Sequence, residues 1–367
     1  VIDLKKFQEK PDPPEMINKI PFLRPKDLPQ EVERIPGEES SLPHGVPLFF
    51  HDVFTNGIIY VDFAFDIKGL SGESSQFLPL FGKTICGSGL PGIRYDEVAK
   101  LLSLYTGGFS YFLSASGEVG SVWGKNEHIF FRLKILSENL RNALGLIKRL
   151  LVESDFNDVE RIKDLTLELK NESKASLISN GHQFVALRAG SRLSDVFKVE
   201  ERWKGISQVS FLAELSPGIE RKLKDVVSSL KEIRRSFISR KNLIVNVTSE
   251  RFLFEEVKEE LSNLISYLPE GDFSGVVKEP ERPDEDQSKA KVESLIVTSN
   301  VGYVSRAIRG ARFGTVENGY EGVLSHFLRT GYLWEKVRMR GGAYGVFAVP
   351  YGTEGVFIFS SYRDPNI

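Results

Sequence analysis

The chain has 367 residues, 41% hydrophobic and 27% charged, with 48 basic and 50 acidic side chains and a formal charge of -2. That balance gives no global field favouring nucleic acid or an anionic membrane surface. A single cysteine, Cys86, excludes an internal disulfide and a cysteine-based zinc site.

Cys86 is instead expected to be a small buried hydrophobe. No apolar run reaches the roughly 18 residues that a membrane span requires, so no membrane partner is expected. The length predicts two or three domains. The opening Val1-Ile2-Asp3-Leu4-Lys5-Lys6 shows neither a signal peptide nor an initiator methionine. With the single cysteine, this favours the cytoplasm or an organelle matrix.

In chain order, residues 1–40 are charged and interrupted by Pro11, Pro13, Pro14, Pro21, Pro25, Pro29 and Pro36, which reads as a connector. Val46 to Asp52 and Ile58 to Ile67 are expected strands. The second alternates Ile59, Val61, Phe63, Phe65 and Ile67 on one face. Asn56-Gly57 between them predicts a hairpin. Helical periodicity runs from Glu73 to Tyr105, broken at Gly87 to Gly92. Phe109 to Ser116 and Val122 to Leu136 again have strand character.

Helices are expected at Glu138 to Ser154, Phe156 to Ser179 and Gly218 to Ile233. A strand at Asn242 to Thr248 and a helix at Arg251 to Leu268 close a first α+β domain, 41–268. Residues 269–291 are polar, charged and proline-bearing, the clearest boundary in the chain. A second domain, 292–367, starts with a strand from Val292 to Ile308. Near-helical spacing of Val323, Leu324, Phe327, Leu328 and Leu333 follows, stopped by Gly341 and Gly342. Strands from Ala343 to Val349 and Val356 to Ser361 flank a turn at Pro350-Tyr351-Gly352.

Several familiar sites are absent. The five histidines, His44, His51, His128, His182 and His326, have no His-x-x-Glu-His spacing, the pattern that binds zinc on one helical face with a glutamate as general base. Gly82-Lys83-Thr84 lacks the earlier glycine of a phosphate-binding loop. No Gly-x-Ser-x-Gly elbow occurs. The sequons at Asn171 and Asn246 fall inside predicted elements. Lys231, Arg234, Arg235, Arg240 and Lys241 read as a solvated basic face that could attract acidic peptide segments.

The polar pair at the glycine hinge is more informative. Arg338 at the helix end and Tyr344 at the strand start could converge on one carbonyl oxygen and stabilise charge developing there. The alternative is that Arg338 complements the helix C-terminus and Tyr344 packs on the sheet.

Tyr332-Leu333-Trp334, Val337-Arg338, Gly341-Gly342-Ala343-Tyr344-Gly345 and Ser361-Tyr362-Arg363-Asp364-Pro365-Asn366 closely resemble the C-terminal half of the presequence protease and falcilysin branch of the insulinase-like (pitrilysin) zinc metallopeptidases. Gly181-His182, Arg188, Arg192, Trp203 and Gly205 resemble the same branch. The resemblance implies an α+β chain of two insulinase-like α/β sandwich domains, antiparallel-rich sheets with helices on one face, the second domain incomplete. Residues 1–40 and 269–291 would be linkers. It also implies that the chain is a fragment and inactive alone.

Zinc would be held by a partner N-terminal half, the two halves closing as a chamber around unfolded peptides. In that setting Arg338 and Tyr344 would bind the substrate carbonyl and oxyanion, with Gly341, Gly342 and Ala343 admitting the substrate backbone. Arg363 and Asp364 would support the site structurally. A non-catalytic scaffold or peptide-binding subunit of the same fold is the alternative.

Overall fold

The computed structural model describes residues 4–5, 7, 9–70, 72–121, 124–271 and 292–366. Packing separates Val1–Pro36 from Gly37–Ile367. In the first unit, single helical turns form at Pro14–Ile17 and Pro25–Asp27, each opened by a proline. That position suits proline because its missing N–H would be unsatisfied there anyway. Every described side chain of this unit is exposed.

The second unit is built on a six-stranded sheet: β1 (Glu38–Ser41), β2 (Pro47–Asp52), β3 (Ile58–Asp66), β4 (Gly108–Gly117), β5 (Lys125–Leu136) and β6 (Leu243–Ser249), in the order β1-β2-β6-β3-β5-β4. All pairings are antiparallel except β2 with β6. β1 was not expected; it lies at the end of the predicted connector and pairs with β2. The alternation in β3 fixes which face is dry: Ile59, Val61, Phe63, Phe65 and Ile67 are all fully buried.

That face packs on helices α1 (Leu78–Gly87), α2 (Tyr95–Tyr105), α3 (Leu140–Glu153), α4 (Val159–Ser179), α8 (Ile219–Phe237) and α9 (Phe254–Tyr267) in one apolar core. The stretch from Gly181 to Leu215 forms three consecutive helices: α5 (Gly181–Gly190), α6 (Asp195–Lys204) and α7 (Ile206–Leu215). Cys86 is half-buried against the core, and burial pushes its thiol up to about 12. Gly82 lies inside α1, where a Cβ would fall 2.1 Å from the Tyr111 ring, a packing role that accounts for the Gly-Lys-Thr string.

The expected hairpin at Asn56-Gly57 is corrected. Both residues take positive φ, 54° and 77°, as such a turn requires, but β2 and β3 are not paired. β6 lies between them, parallel to β2 and antiparallel to β3.

The widened turn is closed by Glu250 at the end of β6. Its carboxylate accepts from the Thr55 hydroxyl at 2.6 Å and from the Gly57 N–H at 3.2 Å. These donors, the Thr55 hydroxyl first, hold the Glu250 carboxyl down to about 2 from 4.5. A depressed carboxyl supports the fold above the unfolded-state value and loses that support as pH falls from 4.5 towards 2. Thr55→Val is expected to move the Glu250 titration back towards 4.5, read by NMR of the carboxyl carbon. An unmoved titration would refute the Thr55 contact as its cause.

A three-stranded sheet follows: β7 (Ser305–Arg309), β8 (Gly345–Tyr351) and β9 (Val356–Tyr362), in the order β7-β9-β8. The predicted strand Val292 to Ile308 shrinks to β7. Ahead of β7, Gly302 forms an isolated antiparallel bridge with Asp364 and the Val304 carbonyl accepts from the Ser361 N–H, whereas Val292 and Ile296 project fully into solvent.

Pro350 does not sit in a turn. It is inside β8 opposite Phe357, tolerated because β8 is an edge strand. The connection is Gly352 to Gly355, with Gly355 at φ 63°. Most of the predicted linker 269–291 lies outside the described residues. The basic patch is not wholly solvated, since Arg234 stacks 4.3 Å from the Phe156 ring centroid and donates to the Ser154 carbonyl.

Candidate functional site at the helix-to-strand hinge

The hinge begins with α10 (Val316–Phe327), capped at its start by the Thr315 hydroxyl accepting from the Asn318 N–H. The helix continues without a break but widens to π-type turns at Leu328–Tyr332 and Trp334–Arg340. Such widening is rare and found most often at functional sites. The two glycines then stop it. Gly342 adopts φ 81°, its N–H donating to the Arg338 carbonyl, and the Ala343 N–H donates to Val337. A Cβ on Gly341 would lie 2.6 Å from the Val337 carbonyl oxygen. Both positions therefore require glycine, one for conformation and one for space.

Ala343 is buried and seats the turn, and the Tyr344 N–H donates to the Tyr362 carbonyl at 3.0 Å. The far side is tied by Asn366, whose side-chain amide donates to the Gly341 carbonyl, and by Asp364, which accepts from the Asn366 N–H.

This folding brings Arg338 and Tyr344 together. The Arg338 guanidinium carbon lies 4.0 Å from the Trp334 ring centroid and 5.8 Å from that of Tyr344. The Tyr344 ring stands edge-on to Tyr362 at 5.7 Å and is 66% exposed. Among the described residues neither the Arg338 guanidinium nor the Tyr344 hydroxyl has a hydrogen-bond or ion-pair partner. Arg340, two residues on, pairs with Glu335. Arg338 is thus held by rings, which position a guanidinium but leave its N–H donors open. A planar cation and a phenol with open donors on one side of a backbone turn can accept a carbonyl oxygen.

The backbone N–H groups of Gly342 and Ala343 already close the helix. Any contribution to a ligand comes from the missing side chains rather than from those donors. The Arg363 ring contact is with Tyr362, at 5.3 Å.

Sequence reasoning missed the groups behind the pair. Tyr362 donates from its hydroxyl to the Ser179 carbonyl at 3.3 Å and meets the His182 ring at 4.6 Å. His182 also stacks on Phe347 at 5.2 Å. Its Nδ1 is buried without a partner among the described residues, and burial pushes the imidazole down. His182 opens onto a cleft of about 570 Å³ where α5 and α6 meet the β8-β9 hairpin, lined also by Ala186, Phe197, Glu200 and Tyr351. Glu200 and Glu354 accept from the free-edge N–H groups of Ala115 and Gly117 on β4, which blocks that edge. Only the Trp334 contact was legible, because an aromatic four residues before an arginine shares its helical face.

Among the described residues no three His, Cys, Asp or Glu side chains are grouped to hold a metal ion. No helix among them is long and apolar enough to cross a membrane. One face of α10 is uncovered: Tyr320, Val323, Leu324 and Phe327 are exposed, while Ser325 on the other face donates to the Ala348 carbonyl.

The model of the peptidase M16C associated family matches residues 2–215, and that of the PreP C-terminal domain matches 292–367. The chain belongs to the peptidase M16C-associated family. Presequence protease 1, chloroplastic/mitochondrial, of Arabidopsis thaliana is 32% identical over all of this chain and 33% of its own length. The mitochondrial presequence protease of Yarrowia lipolytica is 28% identical over 100% and 36%. The chain thus spans about a third of the length of these curated relatives and resembles their C-terminal half.

The solved peptidase M16 inactive domain from Pseudomonas fluorescens superposes with a TM-score of 0.63 at 15% identity, covering 89% of this chain and 74% of that one. It confirms the fold: an M16-type α+β architecture with antiparallel-rich sheets.

Proposed function

We propose that this M16C-associated chain is the half of a zinc metalloendopeptidase that carries no zinc, and that it supplies Arg338 and Tyr344 to the carbonyl oxygen of an unfolded peptide. The observation that carries the reading is the pair of open donors, held by aromatic rings at a turn that two glycines make obligatory. As the carbonyl carbon becomes tetrahedral its oxygen gains negative charge. Donors already fixed around that oxygen stabilise it without reorganising. Gly341 and Gly342 present no side chain there and Ala343 only a buried methyl, so that a peptide backbone can reach the pair.

The metal belongs to a companion N-terminal half, which closes on this one as a chamber. The exposed apolar row on α10 beside the hinge supports a companion surface there. Residues 41–268 and 292–367 are two copies of one fold joined by the linker 269–291, and 1–40 links the halves. The compartments named for the relatives support an organelle matrix.

The test is hydrolysis of an unstructured peptide by this chain alone, by the chain joined to its zinc-bearing half, and by the joined protein with a chelator. Activity is expected only in the joined, untreated protein. Activity in none of them favours a peptide-binding scaffold, and zinc-independent activity in the chain alone overturns the reading.

A further inference from the structure

We infer that Trp334 is a positioning residue, an indole platform that holds the Arg338 guanidinium in place while leaving its N–H groups free for a ligand. The inference rests on the role proposed for Arg338. A guanidinium on a helix can be fixed in two ways. A carboxylate fixes it by occupying the donors and cancelling the charge, as Glu335 does for Arg340. A ring fixes it through its face, and the donors remain open.

Arg338 has the second arrangement, 4.0 Å from Trp334 on one side, with Tyr344 at 5.8 Å. Trp334 and Arg338 are four apart in a π-type turn, and the wider turn still keeps the two side chains on one face. Trp334 is 39% exposed and outside the apolar core of the six-stranded sheet. Its ring face carries the Arg338 cation.

The experiment compares Trp334→Phe, which keeps a π face, with Trp334→Leu, which keeps apolar bulk only. In the chain itself the Arg338 Nε–H resonance, assigned by its loss in Arg338→Lys, is expected to be shifted upfield by ring current. The shift should survive in Trp334→Phe and vanish in Trp334→Leu. In the protein joined to its zinc-bearing half, Trp334→Leu is expected to lower kcat about tenfold with KM little changed. Trp334→Phe should keep most of the rate, and Trp334→Leu should add nothing in an Arg338→Ala background.

An unshifted resonance, or equal rates for the Phe and Leu variants beside a crippled Arg338→Ala, refutes the platform alone. A normal rate for Arg338→Ala refutes the reading on which it rests. A melting temperature lowered equally in both Trp334 variants, with equal loss of rate, identifies the residue as structural and overturns the inference.

Discussion

Arg338→Ala in the joined protein is expected to lower kcat/KM for an unstructured peptide by a hundredfold or more, the usual consequence of removing one oxyanion donor. Most of the loss should fall on kcat, because charge on the oxygen is greatest after the carbonyl has begun to change. Stability should hardly move. The guanidinium has no ion-pair partner among the described residues, and its contact with Trp334 is a half-exposed cation on a ring, worth about 0.5–1 kcal/mol. Arg338→Lys is expected to fall between the two, since an ammonium keeps the charge but not the planar fork. Steady-state kinetics beside a thermal melt separates these effects. Near-normal turnover by the alanine variant would remove Arg338 from the site.

Phe131→Ala is the largest expected loss of stability. Phe131 is fully buried on β5, directly across from Phe63 on β3, with its ring edge-on to Phe65 at 6.2 Å and stacked on Phe109 at 5.9 Å. The substitution removes a ring from an inner strand of the six-stranded sheet, where β3 and β4 on either side hold the backbone and limit collapse. The cost is about 3–5 kcal/mol. Urea unfolding should show the midpoint lowered, and Phe131→Leu should retain most of the difference because it refills much of the space. An unchanged midpoint for Phe131→Ala would mean that the β3-β5 face is not the core that the burial describes.

How far the sequence alone reached can be judged from particular residues. Ile59, Val61, Phe63, Phe65 and Ile67 announced a strand with one dry face, and the structure buries all five. Gly341 and Gly342 announced a helix stop, and the hydrogen bonds to Arg338 and Val337 make one. These signals are local: alternation, helical period and glycine conformation act over a few residues and leave their mark in consecutive letters. Arg338 and Tyr344 were legible as a pair for the same reason, because the turn joining them is short.

What depends on distant segments was not legible. Asn56-Gly57 has the conformation of a hairpin turn, yet β6, nearly two hundred residues later, enters between its strands. The apolar row of α10 has helical period but is uncovered, because period fixes a face and not what covers it. The contact of His182 with Tyr362 behind Tyr344 joins α5 to the end of β9. The sequence by itself determined most of the longer elements, the dry face of β3 and the hinge with its two donors, since neighbouring residues dictate those. Only the tertiary structure decided strand order and the aromatic support beneath the tyrosine, because these arise from burial between segments far apart in the chain.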